Sequence, residues 1–112
     1  MPDCIFCAIA AGDIPADALA DTGTTMAFRD LSPKADTHVL VIPKQHYATL
    51  AEVAAADAAL VGALVGTAAD VASRLGLAEQ GYRLIANTGS GAGQTVFHAH
   101  LHLLSGRDLP GF

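Results

Sequence analysis

The chain has 112 residues, with 6 Lys+Arg against 11 Asp+Glu, a formal net charge of −5 and 52% hydrophobic residues. That length suits one domain over residues 1–112, and the apolar content supports a packed core rather than a disordered chain. The acidic balance removes the long-range attraction to phosphate backbones that a general nucleic-acid binder needs. The longest apolar stretch, residues 58–69 between Asp57 and Asp70, falls short of the ~20 residues of a membrane span. No secretory signal pattern opens the sequence, so a cytoplasmic domain is expected, with neither membrane nor nucleic-acid polymer as partner.

Residues 5–11 are apolar and stop at Gly12, which predicts a short helix. Residues 24–28 read as a strand, and Arg29-Asp30-Leu31-Ser32-Pro33 as a turn. Residues 38–42 are β-branched and apolar on both faces and end at Pro43, the pattern of a central strand. Residues 57–75 are the clearest helix: Asp57 can cap it, Leu60, Leu64, Ala68, Val71 and Leu75 share one face, and Gly76 stops it. A strand over 82–86 leads into the glycine-rich loop 87–93, and a last strand is expected over 96–104. Strands gathered around one long and one short helix indicate an α+β domain with a mainly antiparallel sheet.

His98, His100 and His102 alternate with Ala99, Leu101 and Leu103, so on a strand three of the chain's five histidines line one face. Three adjacent imidazoles are costly to desolvate unless each has a partner. A single metal ion cannot hold all three. His98 and His102 would lie ~13 Å apart along a strand, whereas zinc–nitrogen bonds are ~2.0–2.1 Å. At least one ring is therefore free for chemistry, and a neutral imidazole is a good nucleophile near neutral pH. The glycine-rich loop can turn backbone N–H groups inward as an anion nest, or serve as a plain flexible turn. Cys4-x-x-Cys7 is open to three readings: a redox pair, ordinary thiols, or half of a tetrahedral zinc site completed by two imidazoles.

His-x-His-x-His followed by two apolar residues resembles the signature of the histidine-triad (HIT) hydrolases and transferases, which act on nucleotides at the α-phosphate. Cys4-Ile5-Phe6-Cys7, Ile14-Pro15, the segment Ala27 through Pro33, the stretch from His38 to His46, Asn87 and Gln94 are similar to the Hint branch, so the resemblance spans nearly the whole chain. It implies a five-stranded HIT-like sheet extended across a homodimer. His100 would form a nucleotidyl-histidine intermediate, His102 would bond phosphate oxygens, and His38 would support the triad from the side. Asn87, Gln94 and Thr95 would donate to the phosphate or leaving group, with Thr95 standing where the branch usually has serine. Asp30 would accept the ribose hydroxyls. Ile5, Phe6, Ile9, Phe28 and Leu31 would form an apolar slot for the base, although each also reads as ordinary core. Arg29 stands where some relatives carry histidine, which leaves base selectivity open. By the same resemblance Cys4, Cys7, His46 and His98 would bind a structural zinc. The partner would be a purine nucleotide such as AMP or an AMP conjugate. The implied activity is purine nucleoside phosphoramidase or adenylyl hydrolase; alternatives are dinucleoside polyphosphate hydrolysis and a nucleotide-binding regulator with negligible turnover. The tail, residues 105–112, would reach towards the active site or the dimer partner, and it lacks the tryptophan that some relatives carry there.

Overall fold

The computed structural model describes residues 4–110. In chain order the elements are α1 (Ile5–Ala10), β1 (Ala18–Asp21), β2 (Thr25–Arg29), β3 (Thr37–Pro43), α2 (Leu50–Ala56), α3 (Ala58–Arg74), α4 (Leu77–Gln80), β4 (Arg83–Ile85), a 3-10 turn (Ser90–Ala92) and β5 (Leu101–Ser105). The strands form one sheet in the order β1-β2-β3-β5-β4, with every neighbouring pair antiparallel.

The central β3 is buried along almost its whole length, as its two-faced apolar pattern predicts. Val39 and Val41 join Ala27, Leu101 and Leu103 against Leu60, Leu64, Ala68 and Val71 of α3, forming the larger core. On the opposite face Leu40 and Ile42 join Met26 and Phe28 against Phe6 and Ile9 of α1. A long helix thus backs the sheet on one side. The other side is covered only in part by a six-residue helix, and the remainder of that face is where a site can form.

The long helix follows its sequence signals: the Asp57 carboxylate accepts from Leu60 N–H at 3.3 Å, and Gly76 sits at φ +76° just past the end. Open space surrounds the position that a Cβ would take at Gly76, so Gly76→Ala pays only the left-handed backbone. We expect it to lower stability by ~1–2 kcal/mol in urea denaturation.

Three elements lie outside the sequence expectation. β1 is Ala-Leu-Ala-Asp, with no β-branched residue; it owes its strand conformation to pairing with β2 and carries an irregularity between Ala18 and Ala20. α2 is capped by the Thr49 hydroxyl, which accepts from Glu52 N–H at 3.2 Å. α4 is a single turn after Gly76. The helix inventory is therefore larger than one long and one short. A more consequential difference concerns residues 96–104, of which only Leu101–Ser105 is strand. The β3–β5 pairing ends at Val41↔Leu101. Beyond it Ala99 N–H donates to Tyr47 O at 2.7 Å, in the segment between β3 and α2.

Among the described residues, no helix is long and apolar enough to cross a membrane. The described part of the tail turns back on the sheet, where Arg107 N–H donates to Asp36 Oδ2 at 3.1 Å. Residues 111–112 lie outside the described residues.

Candidate active site and metal centre

His38 on β3 and His102 on β5 share the partly covered face, diagonal to one another across the pairs His38↔Leu104 and Leu40↔His102, two residues apart along the ladder. Backbone groups fix which ring nitrogens hold protons, because an amide can only donate and a carbonyl can only accept. Lys34 N–H donates to His38 Nδ1 at 3.0 Å, so the neutral His38 ring carries its proton on Nε2. That proton goes to His102 Nδ1 at 2.9 Å, leaving His102 protonated on Nε2. His100 Nδ1–H donates to the His98 carbonyl at 2.7 Å, so His100 Nε2 keeps its lone pair. Neither His100 Nε2 nor His102 Nε2 has a hydrogen-bond partner among the described residues, and both rings line one cavity. The site thus presents an acceptor nitrogen beside a donor nitrogen, with ring centres 4.9 Å apart.

Burial pushes the His102 pKa down to about 4, assisted by the neighbouring His100 and His38 rings and opposed by Asp30. Burial also lowers that of His38, against the pull of Asp30, whose Oδ2 lies 3.5 Å from Nε2. Both rings are therefore neutral at pH 7. Because the unfolded chain protonates first, near ~6.5, this contribution to stability is intact above that pH and is lost as the pH falls towards 4. We expect the urea midpoint to drop from pH 7.5 to 4.5 more steeply in the wild type than in His102→Asn. Equal slopes would contradict the assignment.

Two cavities meet at this face. One, of about 470 Å³, has Asp30, His38, Asn87, Thr95, His100 and His102 among its lining residues. The other, of about 320 Å³, is an apolar slot walled by Phe6, Ile9, Phe28, Leu40 and Val96. Asp30 and Thr95 line both, so they stand at the junction. Phe6, Ile9 and Phe28 are buried, whereas Ile5 is half exposed and Leu31 is 92% exposed. Leu31 is therefore a rim residue and offers little enclosing wall.

Gln94 is placed differently from the sequence expectation. Its Nε2 donates to Ala48 O at 2.7 Å and Val96 O at 3.0 Å, while Oε1 accepts from Gly89 N–H at 2.8 Å. Both amide protons are used inside the chain and the residue is buried. Gln94 shapes the glycine-rich loop and has no donor left for a phosphate. Asn87 and Thr95 keep their place in the cavity wall.

At the far side of the triad, Cys4, Cys7, His46 and His98 bring one ligand atom each to a common point. Cys4 Sγ lies 3.3 Å and Cys7 Sγ 3.5 Å from His98 Nδ1, Cys7 Sγ is 3.2 Å from His46 Nδ1, and the two Nδ1 atoms are 3.2 Å apart. Tetrahedral zinc bonds of 2.0–2.3 Å separate ligand atoms by ~3.3–3.8 Å, so the set fits such an ion. His98 Nε2–H donates to Pro43 O at 2.8 Å, which turns the Nδ1 lone pair to the sulfurs and supplies the outer contact a ligating imidazole needs. Without an ion, burial raises the Cys7 pKa, with the Cys4 thiol adding to the shift. The histidine row is thus divided, with His98 against the thiols and His100 lining the cavity.

Three contacts had no sequence signal: the Lys34 amide on His38, the Pro43 carbonyl on His98, and Phe6 standing edge-on to His100 at 5.2 Å. The first depends on how the turn before β3 folds back on His38, and the other two on how segments remote in sequence meet.

The sheet face thus carries an acceptor imidazole, a donor imidazole and an adjoining apolar slot. The HIT domain family model matches residues 11–109, and the chain belongs to that family, whose hydrolase activity it shares. It is 44% identical over 105 residues to the purine nucleoside phosphoramidase of Escherichia coli K12, covering 94% of this chain and 88% of that protein. It is 49% identical over 107 residues to an uncharacterized HIT-like protein of Synechococcus elongatus, covering 96% and 93%. Among solved structures, a HIT family hydrolase from Legionella pneumophila superposes with a TM-score of 0.91 at 46% identity, over 96% of each chain. A histidine triad protein from Clostridium difficile superposes with a TM-score of 0.95 at 38% identity, over 100% of this chain and 97% of that one.

Proposed function

We propose that the chain is a purine nucleoside phosphoramidase that cleaves a P–N bond at the α-phosphorus through a nucleotidyl-histidine intermediate. The observation that carries this reading is the state of His100: Nδ1–H is held by the His98 carbonyl, and Nε2 faces a cavity joined to an apolar slot. The base lies in the slot against Phe6, Ile9 and Phe28, with Ile5 and Leu31 at the rim. Asp30, at the junction, accepts the ribose hydroxyls. His100 Nε2 attacks phosphorus, and the P–N electron pair leaves with the nitrogen, which takes up a proton from solvent and departs as the neutral amine. His102 Nε2–H, aided by Asn87 and Thr95, hydrogen-bonds the oxygens and leaving nitrogen as charge shifts. Water then attacks phosphorus, gives up a proton to solvent and releases the nucleoside monophosphate, returning His100 to its starting state. His38 holds His102 in the donor tautomer. Cys4, Cys7, His46 and His98 would hold a structural zinc, which supplies cross-linking and no chemistry at phosphorus. The chain acts as a cytoplasmic homodimer in this reading, in keeping with the short edge strand β4 and the partly exposed Tyr82 beside it.

The test is a substrate comparison. Adenosine and guanosine phosphoramidates should show kcat/KM at least ~100-fold above diadenosine polyphosphates, a gap of about 2.7 kcal/mol in transition-state stabilisation. Preference for the polyphosphates would overturn the assignment, as would AMP binding without turnover of any of these compounds.

A further inference from the structure

We propose that Phe6 is a positioning residue for the His100 ring, and the link through which metal occupancy at Cys4, Cys7, His46 and His98 reaches it. The proposal rests on the nucleophilic role given above to His100.

The bond from Nδ1–H to the His98 carbonyl fixes one corner of the His100 ring and leaves it free to tilt about that bond. The tilt is set by what flanks the ring. His102 stands on one side, with centres 4.9 Å apart and planes at 66°; Phe6 meets it edge-on at 5.2 Å and 90°. Phe6 also meets His98 at 5.9 Å and Phe28 at 5.6 Å, and it is 6% exposed, so its own place is closely defined.

That place depends on α1. The helix has six residues, buries only Phe6 and Ile9, and is too short to hold itself together. Phe6 lies between Cys4 and Cys7, whose sulfurs approach His98, anchored by the Pro43 carbonyl, and His46 in the segment after β3. An ion held by the four ligands would pin both ends of the first turn of α1 and keep the Phe6 ring against His100. Without it, α1 rests on two side chains, and the ring that flanks the nucleophile moves with the helix. The metal ligands never touch phosphorus, yet they reach the attacking nitrogen twice: through the His98 carbonyl and through Phe6.

The test follows the His100 Nδ1–H in 15N-histidine-labelled protein by NMR, without substrate. In zinc-loaded wild type this proton should exchange slowly with solvent. Phe6→Leu should bind one zinc per chain and keep its far-UV spectrum, yet exchange the proton roughly tenfold faster or more, with a comparable fall in kcat at saturating nucleotide. Stripping zinc from the wild type should give the same acceleration, and stripping it from Phe6→Leu should add little. Phe6→Tyr, which keeps the ring, should restore slow exchange; Phe6→Met replaces the leucine variant if that chain fails to fold. Unchanged exchange in Phe6→Leu would overturn the proposal. So would an undiminished response of that variant to stripping, or a wild-type chain that takes up no zinc. Because exchange is read without substrate, inactivity towards phosphoramidates would retire the proposed activity and leave this link standing.

Discussion

His100→Ala is expected to lower phosphoramidate turnover by roughly 10⁴-fold or more, the scale of loss when a covalent nucleophile is removed from an otherwise intact site. AMP affinity should stay within about tenfold, since a single polar contact of ~1 kcal/mol is lost. The split follows from geometry: the slot is built by Phe6, Ile9 and Phe28, the junction by Asp30 and Thr95, and none of them needs the His100 ring to keep its place. His102 cannot substitute, because its outward nitrogen carries a proton, set by the chain Lys34 N–H to His38 to His102. Steady-state kinetics paired with calorimetric titration of AMP separates the two quantities. Retained turnover in the variant would mean that attack does not start at His100.

Metal removal is the second large effect. At free zinc a hundredfold above its dissociation constant, linkage alone contributes ~2.7 kcal/mol to stability. In a domain of this size that corresponds to a fall in Tm of roughly 10 °C or more on chelation. Cys7→Ser and His46→Ala should melt near the chelated wild type and should no longer respond to chelator. The predicted loss stays below the full binding energies of zinc-finger peptides, because the α3 core remains without the ion. A wild-type melt that chelator leaves unchanged would remove the structural role from Cys4, Cys7, His46 and His98.

How much of this was legible before the fold was known depended on whether the signal was local. The long helix could be read because Asp57, a 3.6-residue apolar period and Gly76 sit within one stretch. β3 could be read because both of its faces are apolar. β1 could not, since Ala-Leu-Ala-Asp has no strand preference of its own and becomes a strand by lying along β2. Alternation correctly separated the three histidines from Ala99, Leu101 and Leu103. It also suggested one continuous strand, whereas the pairing stops at Val41↔Leu101 and the first two histidines follow a turn. Gln94 shows the limit most clearly. A polar residue beside a glycine-rich loop reads as a ligand donor, and only the positions of Ala48, Gly89 and Val96 reveal that its amide is already used. For Phe6, nothing in the local pattern indicates that the ring flanks an imidazole 94 residues away.

The most direct test of covalent catalysis by His100 is intact-mass spectrometry of the protein seconds after mixing with adenosine phosphoramidate, quenched without acid so that a P–N bond survives. The predicted result is a transient species one adenylyl group heavier than the free chain, carried on the peptide containing His100 and absent from His100→Ala. Release of AMP with no such species at any time, or an adduct on another residue, would contradict attack by His100.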